Sequence, residues 1–109
     1  MKCAVGEKVP FSIGDFKDAA GNPAPVDATT PITRLALANG IGALADVSAV
    51  QLSGFITHNG TLGITFLEAD VDADTGAGVK TFTLRSEEIE MVSGEAVTGG
   101  ITLGAPVPA

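Results

Sequence analysis

FITHNGTLGITF, residues 55–66, is the stretch from which the fold is read. Asn59-Gly60 supplies the two positive-φ residues of a type I′ turn, and it is flanked by Phe55, Ile56 and Thr57 on one side and Ile64, Thr65 and Phe66 on the other. Two β-rich runs joined by Asn-Gly predict a tight antiparallel hairpin. His58, the only histidine, falls beside that turn and is expected to face solvent. It has no second His and no nearby Cys to complete a metal or catalytic set.

Working outward, the dominant period is two. Val9, Phe11 and Ile13 alternate with Pro10, Ser12 and Gly14, which predicts a half-buried strand with a proline near its start. DAAGNPAPV, residues 18–26, reads as a long turn. Ile32 to Ala38 alternates again, with Leu35 and Leu37 as the buried pair. ALADVSAVQL, residues 43–52, is the one helix candidate, but Val47 and Val50 are β-branched, so two short strands or a strand and turn are preferred.

Downstream, a strand from Leu62 is expected to continue through Ala69, Val71 and Ala73 until Thr75-Gly76-Ala77-Gly78 breaks it. From Val79 to Val92 the run is extended, with Phe82 and Leu84 in one phase and Ile89 and Met91 in the other. The slip at Arg85–Glu88 predicts a bulge or bend. VTGGITL, residues 97–103, offers a last short strand, after which Pro106 and Pro108 limit pairing. Seven to eight such strands with no amphipathic helix predict an all-β fold, an antiparallel β-sandwich. Its core is assigned to Phe11, Ile13, Leu35, Leu37, Ile64, Phe66, Phe82 and Leu84.

Composition bounds the function. The 109 residues are 45% hydrophobic and 17% charged, enough for one domain with a buried core. Thirteen acidic against six basic residues leave a formal charge of −7, which repels phosphate backbones and anionic membranes. Trp and Tyr are absent, so stacking platforms for bases or sugars are missing. No apolar run approaches the roughly 20 residues a bilayer needs, and MKCAVGEKVP at the start reads as no secretory leader. The single Cys3 allows no intrachain disulfide and lacks a base to make it a nucleophile.

Three clusters were candidates for chemistry. Gly40-Ile41-Gly42-Ala43-Leu44-Ala45 follows a strand in a GxGxxA pattern, but no βαβ continuation accompanies it. Glu68, Asp70, Asp72 and Asp74 stand at spacing two, all on one strand face, where a solvated acidic surface is favoured over a calcium site. Thr75 and Thr81 replace the Gly and the bidentate Glu of an EF-hand loop. Glu87, Glu88 and Glu90 beside Arg85 lack a desolvated cleft for acid–base work. The expectation is therefore no enzyme, no cofactor and no metal.

EKVPFSIGDFKDAAGNPAPVD, residues 7–27, followed by EADVDADTGAGVKTFT at 68–83 and EMVSGEAVTGGITLGAPV at 90–107, resembles small immunoglobulin-like virion proteins of tailed bacteriophages. The resemblance spans nearly the whole chain. Ile32–Asn39, ITRLALAN, departs from it where an aromatic-rich strand is common. It implies an immunoglobulin-like sandwich at residues 7–103 between an N-terminal arm, 1–6, and a C-terminal tail, 104–109. It further implies a capsid decoration or cement protein, assembled in the host cytoplasm, whose partners are the major capsid or a tail protein and neighbouring copies of itself. A tail-associated or glycan-binding adhesion module is the rival. The residues expected to make the contacts are Met1, Lys2, Cys3, Ala4, Val5, Pro106, Val107 and Pro108, because apolar arms order on a neighbour.

Overall fold

The structure, a computed structural model, describes residues 1–109. Nine strands form, in order β1 (Lys2–Ala4), β2 (Lys8–Ser12), β3 (Ile32–Leu37), β4 (Ala43–Ala45), β5 (Ser53–Thr57), β6 (Gly63–Thr65), β7 (Leu67–Asp72), β8 (Thr81–Arg85) and β9 (Ile89–Val92). The only other regular element is a 3-10 turn at Ala38–Gly40. The chain is thus all-β, as the period-two pattern requires.

Three three-stranded sheets result, ordered β1-β9-β6, β2-β5-β4 and β3-β7-β8. Every pairing is antiparallel except that of β1 with β9. One core cluster draws Cys3, Ile41, Ile56, Leu67, Ile89 and Met91 from all three sheets and the loop before β4. A second joins Ile32, Ala69 and Val71 beneath Ile13, Phe16 and Val26. Burial of these apolar side chains is the main force holding the sheets together. The segment between β2 and β3 is the expected turn. Asp18 Oδ1 accepts the N–H groups of Ala20 and Asn22, and Lys17 bridges Pro23.

The Asn59-Gly60 hairpin does not form. β5 pairs with β2 and β4, while β6 pairs with β9, so the loop carries the chain between sheets. Its chemistry is taken by another use: Asn59 Nδ2 donates to the carbonyls of Gly40 and Gly42, and Asn59 Oδ1 accepts the Thr61 N–H. Only Gly60 has positive φ, and a type I′ turn needs two such residues. His58 is half-buried rather than solvent-facing. Its Nδ1 accepts the Gly60 N–H at 2.9 Å, so the tautomer carries its proton on Nε2, which donates to Val92 O at 3.0 Å.

The inward phase expected at Ile64 and Phe66 is also corrected. Thr65, Leu67, Ala69 and Val71 are buried, whereas Ile64 is exposed and Phe66 half-buried. A bend at Phe66 moves the chain from one sheet to another, and the long strand expected from Leu62 is really β6 followed by β7. The slip at Arg85–Glu88 has the same origin: β8 belongs with β7 and β9 with β1 and β6, and Ser86–Glu88 link them. Phe82 and Leu84, assigned to the core, are 40% and 37% exposed on an edge strand. Residues 97–103, expected as a last strand, form none, because they make no backbone hydrogen bond to any other part of the chain.

Candidate functional site

The two ends of the chain behave differently. Met1, Lys2, Cys3, Ala4 and Val5 do not hang free: Lys2–Ala4 is β1, Cys3 is 1% exposed opposite Met91, and Met1 O accepts the Glu90 N–H at 2.8 Å. Even three residues pair when one of them fills the core. Of this group only Met1, Lys2 and Val5 remain exposed.

Pro106, Val107 and Pro108 lie in a far longer exposed segment than the tail expected from residue 104. Every residue from Ser93 to Ala109 is exposed, and no hydrogen bond ties residues 96–109 to the rest of the chain. Val97, Ile101, Leu103 and Val107 are 91%, 94%, 88% and 82% exposed. The molecule is elongated, with principal extents of 83 × 30 × 20 Å. The base of the segment is held where His58 grips Val92.

A second unpartnered feature is β8. Ala73 N–H donates to Lys80 O, and Ser86 N–H donates to Leu67 O, each at 2.8 Å. With the β7–β8 register of Ala69 opposite Leu84 and Val71 opposite Phe82, ladder alternation turns the backbone groups of Phe82 and Leu84 toward β7. Those of Thr81, Thr83 and Arg85 therefore point outward from the sheet edge. Beside this edge runs an apolar cleft of about 260 Å³ between β2 and the end of β8, lined by Phe11, Ile13, Leu67 and Leu84 among others. A smaller cleft of about 130 Å³ shares Phe11, Leu67 and Ser86 with it and extends the groove to Val9 and Ile89. The free edge of β2 across the groove is blunted. Ile13 N–H bonds Leu52 O, so Pro10 lies in the outward phase, and it has no N–H to offer.

The acidic run divides in two. Glu68 and Asp70 lie on the solvent face of β7 and hold arginines: Arg34 Nε donates to Asp70 Oδ2 at 2.8 Å, Arg34 Nη2 donates to Glu68 Oε1, and Arg85 Nη2 donates to Glu68 Oε2 at 3.1 Å. Thr83 Oγ1 donates to Asp70 Oδ1 at 2.7 Å. The hydrogen bond from Arg34, then that from Arg85, lowers the Glu68 pKa, and Arg34 followed by Thr83 lowers that of Asp70. The Arg34 guanidinium is raised in turn by its bonds to Asp70 and then Glu68. Arg85 also sits 4.2 Å from the Phe66 ring centroid.

Asp72, by contrast, is buried. Its Oδ1 accepts the N–H groups of Asp74 and Lys80, and Asp74 Oδ1 accepts that of Gly76, so both carboxylates shape the β7–β8 turn. No three His, Cys, Asp or Glu side chains converge as a metal-ligating group. Gly40–Ala45 leads into strand β4 and not into a helix, so the N-terminal amide cluster that a dinucleotide pyrophosphate needs does not follow it. Glu87 lines the smaller cleft, and neither it nor Glu88 nor Glu90 forms a salt bridge.

Residues 97–103, expected as a last short strand of the chain's own fold, lie instead in the exposed segment. The unpaired β8 edge escapes sequence reading, because an edge is defined by which strands neighbour it in space. Comparison with family models, with curated proteins and with solved structures returned no match for this chain.

Proposed function

We propose that this chain is a non-enzymatic structural protein of a tailed-phage virion: an immunoglobulin-like sandwich that decorates or cements the capsid lattice through its C-terminal segment. The observation that carries this reading is the Ser93–Ala109 segment, which presents Val97, Ile101, Leu103 and Val107 at 82–94% exposure with nothing of its own chain to cover them. Large apolar side chains held in water by an otherwise folded domain mark a surface that is buried on a partner. An extended segment of this kind orders on binding and wraps its target.

The sequence resemblance to phage immunoglobulin-like proteins points the same way, and the three-sheet β-architecture around a shared core is compatible with a layered sandwich. A repeated lattice multiplies weak contacts by avidity. In this reading the protein is made in the bacterial cytoplasm and resides in the virion. Its partner is the major capsid protein or a tail protein.

The test is co-sedimentation with phage particles assembled without this protein. Wild-type protein is expected to pellet with the particles, and Ile101→Asp with Leu103→Asp to remain in the supernatant. Failure of the wild type to bind particles, with binding to host cells instead, would overturn the decoration reading in favour of an adhesion module.

A further inference from the structure

The exposed C-terminal segment and the open edge of β8 are complementary, and we propose that Gly100–Gly104 of one copy adds as an antiparallel strand to β8 of a second copy, with Thr102 opposite Thr83. This builds on the structural role proposed above and names a partner, another copy of this chain, and the site that receives it.

The register follows from the outward groups of β8. Thr81, Thr83 and Arg85 turn their N–H and C=O away from β7, with no proline among them. Pairing Thr102 with Thr83 sets Gly104 against Thr81 and Gly100 against Arg85, so all five residues of β8 gain a partner. Directly opposed residues in such a ladder share a face. Gly100, Thr102 and Gly104 thus lie over the polar face, where Thr83 bonds Asp70 and Arg85 bonds Glu68, and their small side chains leave those bonds undisturbed.

Ile101 and Leu103 fall on the opposite face beside Leu84 and Phe82. Those two side chains are exposed here, and Leu84 lines the cleft with Phe11 and Ile13. Four partly wet apolar residues, two from each copy, would leave water together. Pro106 and Pro108 come after the paired run, opposite residues beyond the start of β8, and so end the ladder without interrupting it.

A second copy is the occupant because the segment is not folded back against its own β8: residues 96–109 make no hydrogen bond to the rest of the chain, and Ile101 and Leu103 are almost wholly exposed. The segment and the receiving edge are different surfaces, so each copy has one of each to offer. Reciprocal exchange of segments closes a two-fold dimer, and one-way donation builds rings or open chains.

Two measurements on purified full-length protein, with no lattice present, test this separately from particle binding. In sedimentation, the wild type is expected to associate with a mass that rises with concentration, while Ile101→Asp with Leu103→Asp stays monomeric. Those side chains touch nothing in the free chain, so the variant keeps its fold. In amide hydrogen exchange, the N–H groups of Thr83 and Arg85 are expected to be protected in the associated wild type and to exchange at least tenfold faster in the variant. A monomeric wild type, association that survives the double substitution, or unprotected Thr83 and Arg85 in the associated form would each overturn the proposal. Protection of these amides in a monomer would mean that the segment folds onto its own β8, which overturns it equally.

Discussion

Phe11 of β2 lies over Gly54 of β5: a Cβ placed on Gly54 would fall 2.9 Å from the ring's Cε1 and 3.1 Å from the Val47 Cα. The two residues are paired across the strands, and Gly54 is buried. The ring occupies the space that a side chain at position 54 would need, and it forms the floor of both clefts along β2. Glycine is kept here for close approach, and no turn is involved.

Gly54→Ala is therefore expected to destabilise the fold by about 1–3 kcal/mol, the usual cost of overpacking a well-filled site. The cost should shrink in a Phe11→Leu background, where the ring no longer opposes the methyl, because residues in contact are energetically coupled. Urea unfolding midpoints of the four proteins measure this. Equal shifts in both backgrounds would show that the Val47 backbone, not the ring, sets the limit.

Acid should act on the Arg34 cluster. The pKa values of Glu68 and Asp70 are lowered in the folded chain, so unfolding raises them and takes up protons. Their stabilisation is whole above the ordinary carboxylate range, about 4, and is lost as pH falls below it through the depressed folded values. Arg34→Gln removes the guanidinium that does most to hold both carboxylates low. Its stability curve is expected to run closer to flat over this acid limb than that of the wild type, as read by melting temperature from pH 6 downward. Parallel curves would mean that Arg85 and Thr83 hold the carboxylates without Arg34.

Alternation makes several strands legible in the sequence: Val9-Phe11, Leu35-Leu37 and Ala69-Val71 each declare a strand with one inner face. The break at Thr75–Gly78 and the turn at Asp18–Val26 follow from their residues in the same way. What alternation cannot show is which sheet a strand joins. Asn59-Gly60 has the composition of a hairpin, yet its side chain serves Gly40 and Gly42, and the strands on either side go to different sheets. Phe66 sits where the chain bends between sheets, so the inward phase expected at Ile64 and Phe66 is inverted, while Ala69 and Val71 of β7 are buried on the side opposite the acidic face. Of the candidate site, the short strand-like run at 97–103 and the apolar tail after it are legible, but the β8 edge exists only in the arrangement of strands.

That inverted phase has a measurable consequence. Ile56, almost wholly buried within the larger core cluster, should cost about 2–5 kcal/mol when replaced by alanine. Phe66 is half-buried and packs its ring under Arg85, so Phe66→Ala is expected to cost less than Ile56→Ala in spite of the larger side chain lost. Denaturant unfolding of the two variants side by side decides it. The reverse order would return Phe66 to the core.

Cys3 gives the last prediction. Its thiol is buried opposite Met91, and desolvation, followed by the nearby Glu7 charge, raises its pKa. The thiolate is the reactive form, so the folded protein is expected to resist alkylation at neutral pH and to react only as fast as the chain opens. The sign for stability follows from the same shift. The unfolded thiol loses its proton first, at about 8.5, so the stabilisation is complete below that value and declines as pH rises toward the folded pKa. Cys3→Ser does not titrate there and should show a shallower alkaline decline than the wild type. Rapid labelling of native protein at pH 7 would place Cys3 outside the core, and with it would fall the pairing of β1 to β9 that holds the N-terminal residues against the body.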